Sequence, residues 1–241
     1  MDYEQTIMKW RSYNISKESD IDKYLHSFRI LFAYNSGKIE NGEINYYDTR
    51  EVFENGKVSS FTGNVRTLFE QQNQKDCYEF LKSKIILKEK LSLNLIKQIH
   101  FELCKGTYDE RRYIENGEKL GEFKKHDYVV GITEVGSDIE DVEHDLTDLI
   151  DEINEYSGED ILKAAAYLHA NFENIHPFAD GNGRVGRTLL NYYLMANNHP
   201  PIIIYEEDKK AYYEALNVFD EKLVIDSLYE FLKWQCVKTW G

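Results

Sequence analysis

Apolar residues recur every three or four positions along most of the chain, which is the repeat of helices that bury one face. Segments with this repeat are 20–40, 65–82, 92–105, 139–156, 160–174, 184–197, 208–219 and 224–236. The segment 160–174 is apolar on nearly every side, so we expect it to be central and buried. Residues 106–137 lack the repeat, and their glycines and the apolar residues 128–130 predict turns and a hairpin. The pattern predicts a mostly α fold with one small β-hairpin.

Composition narrows the class of protein and its partners. The 241 residues carry 29 basic and 43 acidic side chains, which gives a net charge of −14. Because so acidic a chain is poorly suited to non-specific contact with nucleic acid or an anionic membrane, we expect neither partner. The three cysteines are widely spaced and in no metal-ligand pattern, which indicates reduced thiols. The sequence shows no secretion signal and no run of ~18 apolar residues, so we expect a cytoplasmic protein.

The segment from His176 to Arg187 combines a histidine, a carboxylate, a glycine-rich turn and two arginines. The turn leads into a predicted helix, so its backbone N–H groups can approach phosphate oxygens. The two arginines lie three positions apart on the first helical turn and suit forked contacts with phosphate. The candidate phosphate-binding residues are Gly181, Asn182, Gly183, Arg184, Gly186 and Arg187.

Two more side chains in this segment suit phosphoryl chemistry. His176 has an ordinary pKa near neutral pH, so it can remove a proton as a general base. Asp180 can bind Mg²⁺, which would neutralise charge on a departing phosphate. The segment therefore predicts a nucleotide-phosphate site with a proton acceptor and a magnesium ligand.

The spacing His176-x-Phe178-x-Asp180-Gly-Asn-Gly-Arg184-x-x-Arg187 resembles the motif of the Fic (Fido-fold) family at every fixed position. The resemblance implies the helical Fic fold with a small β-hairpin flap. It also implies an enzyme that transfers AMP from ATP, with Mg²⁺, to a Ser, Thr or Tyr hydroxyl of a target protein or of the chain itself. By the same resemblance, Arg184 meets the β-phosphate and Arg187 the γ-phosphate.

Two other segments are similar to parts of that family. Tyr212 and Tyr213 follow the motif at the distance of a tyrosine pair that contacts the nucleoside, and stacking on adenine is the physical reason. The resemblance also places the flap, which docks a target segment by strand addition, at Val130, Gly131, Ile132 and Thr133. The sequence departs from the family pattern at Lys124, where arginine is usual, and lacks the His-x-Pro-Pro stretch that often follows. The flap contacts are therefore left open.

A short N-terminal segment, Ser36-Gly-Lys-Ile-Glu40-Asn41, resembles the inhibitory pattern of the family class with an N-terminal inhibitory helix. Ser36 and Glu40 lie four apart and share one helix face. By resemblance, Glu40 pairs with Arg187 and blocks the γ-phosphate position. We expect residues 1–90 to form a helical region whose inhibitory helix spans about 20–41, and residues 91–241 to form the catalytic core.

Several alternatives stay open from the sequence. Within the same fold, Glu40 could activate water to remove AMP from a modified side chain. The transferred group could be phosphate or UMP, because the motif fixes phosphates better than the base. A nucleotide-binding sensor is a non-catalytic alternative, which the presence of His176 disfavours. The aromatic N-terminal third could also carry the face of a homo-oligomer.

Overall fold

A computed structural model describes residues 1–107, 111–130, 133–134 and 136–241 of the chain. The described residues form eleven α-helices, so the prediction of a mostly α fold is confirmed. The helices are α1 (Tyr3–Ser12), α2 (Glu18–Tyr24), α3 (His26–Glu40), α4 (Tyr46–Asn55), α5 (Val65–Leu87), α6 (Leu93–Cys104), α7 (Val142–Glu155), α8 (Ile161–Ile175), α9 (Asn182–Ala196), α10 (Lys209–Lys222) and α11 (Asp226–Trp240).

The single helix expected at about 20–41 is two helices, α2 and α3. Leu25 separates them, with φ −105° and ψ 12°, outside the α-helical range. Its side chain is fully buried in the main core, so packing sets the bend where the sequence has no proline or glycine to mark it. Helix α3 then ends at Glu40, close to the predicted Asn41-Gly42 stop. Helices α1 and α4 have no counterpart among the predicted segments.

Helix α8 lies at the centre of the fold, as its apolar sequence predicted. Its side chains at Leu162, Ala165 and Phe172 are fully buried, and α7, α9, α10 and α11 pack around it. Asp160 begins the helix by accepting a hydrogen bond from the Lys163 N–H. Helix α8 ends at His176, which has a left-handed backbone (φ 50°). That ending turns the chain into the predicted phosphate-binding segment.

The region between α6 and α7 contains a one-turn π-helix, Arg111–Glu115, and two short paired strands. Strand β1 (Val129–Val130) pairs antiparallel with β2 (Thr133–Glu134), with Val130 opposite Thr133. The predicted flap residues Gly131 and Ile132 lie outside the described residues. After the strands, Gly136 (φ 92°) passes so close to α8 that a Cβ there would lie 2.4 Å from the Ile175 carbonyl oxygen. Only glycine permits this approach to the start of the motif.

The cysteines are the reduced thiols that the sequence predicts. Cys77, Cys104 and Cys236 are buried free thiols. None of the helices within the described ranges combines the length and the apolar character needed to cross a bilayer.

Candidate active site

The loop between α8 and α9 is built to expose the first turn of α9. Gly181 has φ 83° at the N-cap, and a Cβ there would lie 2.6 Å from the Cys104 sulfur. The Asn182 side chain closes the loop, because it accepts from the Phe178 N–H at 2.9 Å and donates to the Phe178 carbonyl at 2.7 Å. The N–H groups that begin α9 therefore face outward without a side-chain cap.

His100 on α6 packs against this loop and holds it in place. Its Nδ1 accepts from the Gly121 N–H at 3.0 Å, and its Nε2 lies 3.1 Å from the Asp180 carbonyl oxygen, to which it donates in the matching tautomer. The ring also stacks on Phe178, with centroids 3.9 Å apart. Burial lowers the pKa of His100 to about 4, so the ring is neutral and its two nitrogens differ, as these contacts require.

The outward face of the loop lines a cleft of about 730 Å³, a volume in the range of nucleotide-sized pockets. Part of the lining comes from the predicted motif: His176, Asp180, Gly181, Asn182, Gly183 and Arg184. Other elements contribute Glu40, Arg66, Glu70, Arg112, Glu173 and Tyr213. The cleft therefore brings the motif together with side chains from α3, α5, α8 and α10.

His176 lines the cleft as a neutral imidazole. Burial lowers its pKa below the ordinary value, and the positive charges of Lys124 and Arg112 act in the same direction. A hydrogen bond to the Glu173 backbone and the charge of Glu40 act in the opposite direction but are outweighed. Since a neutral ring has a free lone pair at neutral pH, His176 can accept a proton there.

Arg187 is held by the end of α3, which contains both predicted inhibitory residues. Its Nε donates to the Ser36 hydroxyl at 3.0 Å, and one terminal nitrogen donates to the Ser36 carbonyl at 2.9 Å. The same terminal nitrogen donates to Glu40 Oε1 at 2.8 Å. The Arg187 side chain is only 2% exposed and lies behind Glu40, outside the cleft lining. The structure thus contains the Glu40–Arg187 contact that the sequence predicted.

Glu40 keeps its charge in this contact. Burial opposes its ionisation, but the charge and hydrogen bond of Arg187 outweigh burial and lower the pKa of Glu40. For Arg187, burial lowers the pKa and the charge of Glu40 raises it, and the net effect is a rise. The Glu40 side chain is still 37% exposed, on the cleft side. It is therefore a charged counter-ion that a ligand entering the cleft can reach.

Asp180 lies at the other end of the cleft among three guanidinium groups. Its carboxylate oxygens are 3.3 Å from Arg66, 3.7 Å from Arg112 and 3.9 Å from Arg184. Arg184 is itself buried and reaches the Leu103 carbonyl at 3.5 Å. The three arginines concentrate positive charge in one part of a strongly acidic chain, which favours a polyanionic ligand.

Two predicted phosphate contacts are corrected by the structure. Gly186 faces α8, where a Cβ would lie 2.2 Å from Glu173 Oε1 and 3.1 Å from the Phe172 ring, and it does not line the cleft. Its role is close helix packing. The buried side chain of Asn182 holds Phe178 through its oxygen and one amide N–H, so its role is to close the loop and its backbone N–H is the better placed donor for a ligand.

The structure also separates the predicted tyrosine pair. Tyr212 is fully buried, and its hydroxyl hydrogen-bonds to His169 Nε2 at 2.7 Å. It therefore offers no surface for stacking on a nucleoside, which corrects that prediction. Tyr213 is 38% exposed and lines the cleft. Spacing alone could not separate the pair, because neighbouring helical residues point in directions about 100° apart and either could face the core.

Sequence reasoning missed several residues that shape the cleft, among them Arg66, Glu70, His100, Arg112 and Glu173. Glu173 is the most unusual. Its Oε1 is buried without a hydrogen-bond partner among the described residues, and burial raises its pKa to about 7. Glu173 lies one helical turn before His176, so its spacing is a signal that could have drawn attention to it. The contacts of Arg66 and His100 with Asp180 join distant segments and leave no such local signal.

Comparison with known proteins agrees with this geometry. Residues 90–194 match the Fic/DOC family. The solved structure of a Fic-domain-containing signalling protein from Bacteroides thetaiotaomicron superposes on the whole chain and on 95% of that protein, with a TM-score of 0.84 and 23% identity. Fold and motif together define the Fic-domain class, and residues 90–194 of this chain form a domain of that class.

Relatives with curated names add a narrower similarity. The chain is 30% identical over 195 residues to protein adenylyltransferase fic-1 of Caenorhabditis briggsae and to that of Caenorhabditis elegans. In each case the match covers 78% of this chain and 36% of the relative. The chain therefore spans about a third of the length of these two relatives.

Proposed function

We propose that this chain is a protein adenylyltransferase that transfers AMP from ATP to a Ser, Thr or Tyr hydroxyl of a protein. The observation that carries the proposal is one cleft in which a neutral His176 faces the uncapped start of α9, beside Arg184. The names of the two nematode relatives support the same reaction. The chain's own hydroxyl groups are among the substrates, so self-modification is part of the proposal.

In the proposed step, His176 removes the proton from the target hydroxyl as its oxygen attacks the α-phosphorus. The new P–O bond forms as the bond to the pyrophosphate oxygen breaks, so AMP is transferred and pyrophosphate leaves. The backbone N–H groups of Asn182 and Gly183 and the guanidinium of Arg184 hold phosphate oxygens, while the Gly181 N–H is already bound to Asp180. Arg187 holds the terminal phosphate once Glu40 withdraws.

Asp180 is the proposed magnesium residue. Among the described residues, no group of three or more His, Cys, Asp or Glu side chains is placed to hold a metal ion by itself. A single carboxylate at the cleft nevertheless fits, because Mg²⁺ commonly uses one or two carboxylates together with substrate phosphates and water. When bound, Mg²⁺ would neutralise charge on the departing pyrophosphate.

The remaining contacts of the substrates are proposed from position. Tyr213 lines the cleft beside Glu40 and is the candidate for stacking on the nucleoside base. The strand pair β1–β2 precedes the loop that packs against Ile175, and its backbone is the candidate docking edge for the target segment. Val130 and Thr133 belong to that pair.

We further propose that α3 restrains the enzyme. Glu40 occupies the Arg187 guanidinium, so the terminal phosphate of ATP cannot use it until the carboxylate moves. Residues 1–90 thus supply the restraint and residues 91–241 the catalytic motif. Two contacts hold α3 in place from the side of α10: Asn35 accepts from the Glu206 N–H at 3.0 Å, and Lys209 donates to the Ile39 carbonyl.

Intact-mass spectrometry after incubation with ATP and Mg²⁺ tests the reaction. Glu40→Gly should gain the mass of one AMP more readily than wild type, and Glu40→Gly/His176→Ala should lose about 10²–10⁴-fold in rate. ATP binding by the double variant, measured by calorimetry, separates lost chemistry from lost binding. Transfer that survives His176→Ala would remove the base assignment, and incorporation of UMP or phosphate in place of AMP would change the class of transferase.

A further inference from the structure

A line of polar contacts runs along the cleft wall from the end of α3 to Asp180. Asn41, the residue that ends α3, donates to Glu70 Oε2 at 2.9 Å. The other oxygen of Glu70 accepts from Arg66 Nε at 3.0 Å. A terminal nitrogen of Arg66 then reaches Asp180 Oδ2 at 3.3 Å. All four side chains line the same cleft, and Glu70 is 7% exposed.

The two oxygens of Asp180 have different surroundings. Oδ1 accepts from the Gly181 N–H at 2.8 Å, which fixes the carboxylate to the loop. The more distant guanidinium groups of Arg112 and Arg184 also lie on the Oδ1 side. The hydrogen bond recorded for Oδ2 comes from Arg66. Because Arg66 would repel a cation at Oδ2, we expect the cation to displace Arg66, whereas the Gly181 contact can stay.

We propose that Arg66 is a positioning residue that occupies Oδ2 of Asp180 when no divalent cation is bound. Displacement of Arg66 by the cation then loosens the Glu70–Asn41 contact at the end of α3. The proposal rests on the assignment of Asp180 as the metal residue. It adds a second connection between the cleft and the end of α3 that carries Glu40, and this connection runs from Asn41 through Glu70 and Arg66 to Asp180.

The charges around Asp180 set the direction of the effect. Arg66 repels a divalent cation at Asp180, so binding is weaker with the arginine in place. After displacement, Arg66 keeps its Nε contact with Glu70 but loses the carboxylate that held its other end. Glu70 is then free to move with Arg66 away from Asn41. By linkage, release of α3 must in turn favour cation binding by the same factor.

A matched pair of variants tests the first half of this proposal. Arg66 and Arg50 each make an i,i+4 ion pair, with Glu70 and Glu54 respectively, but Arg50 lies on α4 and does not line the cleft. Mn²⁺ binding in the presence of saturating ADP, followed by electron paramagnetic resonance, should be about fivefold tighter in Arg66→Gln than in wild type. Arg50→Gln should bind as wild type does, and Asp180→Ala should lose the site.

Hydrogen exchange of residues 37–44 tests the second half. Mn²⁺ should speed amide exchange there in wild type, and Arg66→Gln should already exchange faster without the ion. Thermal unfolding confirms that each variant is folded, and Arg66→Ala repeats the test if the glutamine variant is not. If Asp180→Ala binds Mn²⁺ like wild type, the metal assignment fails and the proposal with it. If Asp180→Ala loses the site but Arg66→Gln binds no more tightly than Arg50→Gln, only the role of Arg66 is overturned.

Discussion

Glu40 and Glu173 both lie near Arg187, and their surroundings differ. Glu40 contacts Arg187 from the cleft and accepts a hydrogen bond from it as a charged carboxylate. Its pKa is lowered because the charge and hydrogen bond of Arg187 outweigh the effect of burial. Glu173 also lines the cleft, but its Oε1 is buried on the interior side, against Gly186, without a hydrogen-bond partner among the described residues, and burial raises its pKa to about 7. Both lie against glycines of the first turn of α9, Glu40 at Gly183 and Glu173 at Gly186.

The difference shows how one guanidinium can be neutralised in two ways. Burial is the main cause of the raised pKa of Glu173, the charge of Glu40 adds to the rise, and Arg187 acts in the opposite direction. When Glu40 leaves, Glu173 can ionise and keep the buried Arg187 from being left without a counter-ion. In the proposed mechanism the cleft side is the one where a phosphate replaces the Glu40 carboxylate. The interior side is fixed by packing.

The largest expected effect is on the interior side, through the pH dependence of stability. The pKa of Glu173 is raised from about 4.5 to about 7 on folding, so the folded state holds the proton more tightly. Stability from this group is complete below pH ~4.5 and is lost as pH rises through 7, by about 3 kcal/mol. Glu173→Gln should therefore gain stability over wild type between pH 5 and 8.

Denaturant unfolding at several pH values measures this gain. The exposed Glu43→Gln is the matched control and should show no such pH-dependent difference. A constant difference between wild type and Glu173→Gln across this range would mean that Glu173 is not the group that holds the proton.

Alanine substitutions at two glycines of α9 test the same comparison. A Cβ at Gly186 would meet Glu173 Oε1 at 2.2 Å and the packed Phe172 ring at 3.1 Å, so Gly186→Ala should cost about 1–3 kcal/mol of stability. A Cβ at Gly183 would meet Glu40 Oε1 at 2.5 Å, but Glu40 is 37% exposed and can shift into the cleft. Gly183→Ala should therefore cost less. Equal losses in thermal unfolding would contradict a fixed interior side.

The smallest expected effect is on the cleft side. Because the pKa of Glu40 is lowered on folding, its contribution to stability is present at neutral pH and is lost as pH falls through that lowered pKa. Exposure and the ionisation of Glu173 limit the loss in Glu40→Gln to about 1 kcal/mol at pH 7. The loss should vanish in acid, the opposite trend to Glu173→Gln. A loss that grows toward low pH would break the comparison.

The sequence was most informative where chemistry depends on neighbours along the chain. The motif from His176 to Arg187 lies on one loop and one helix start, so its spacing alone predicted the part of the cleft lining that the loop supplies. The Glu40–Arg187 contact was predicted by family resemblance, although 147 positions separate the two residues. Helix existence followed from apolar periodicity, while the bend at Leu25 depended on core packing and left no sequence signal.

The rest depended on contacts between distant segments. Arg66 lies 114 positions from Asp180, and His100 lies 80 positions from it, so no local pattern could place them together. Which of Tyr212 and Tyr213 faces the core depends on how α10 packs against α8 and α11. The burial of Glu173, and hence its raised pKa, likewise depends on the close approach of α8 and α9 at Gly186.

The central claim is that Glu40 occupies the place of the terminal phosphate on Arg187. Calorimetric affinities of wild type, Glu40→Gly and the exposed control Glu43→Gly for ATP and for AMP test it most directly. We predict that Glu40→Gly binds ATP on the order of tenfold tighter than wild type, with AMP affinity and the Glu43→Gly variant unchanged. An equal change for ATP and AMP, or no change for either, would contradict the account.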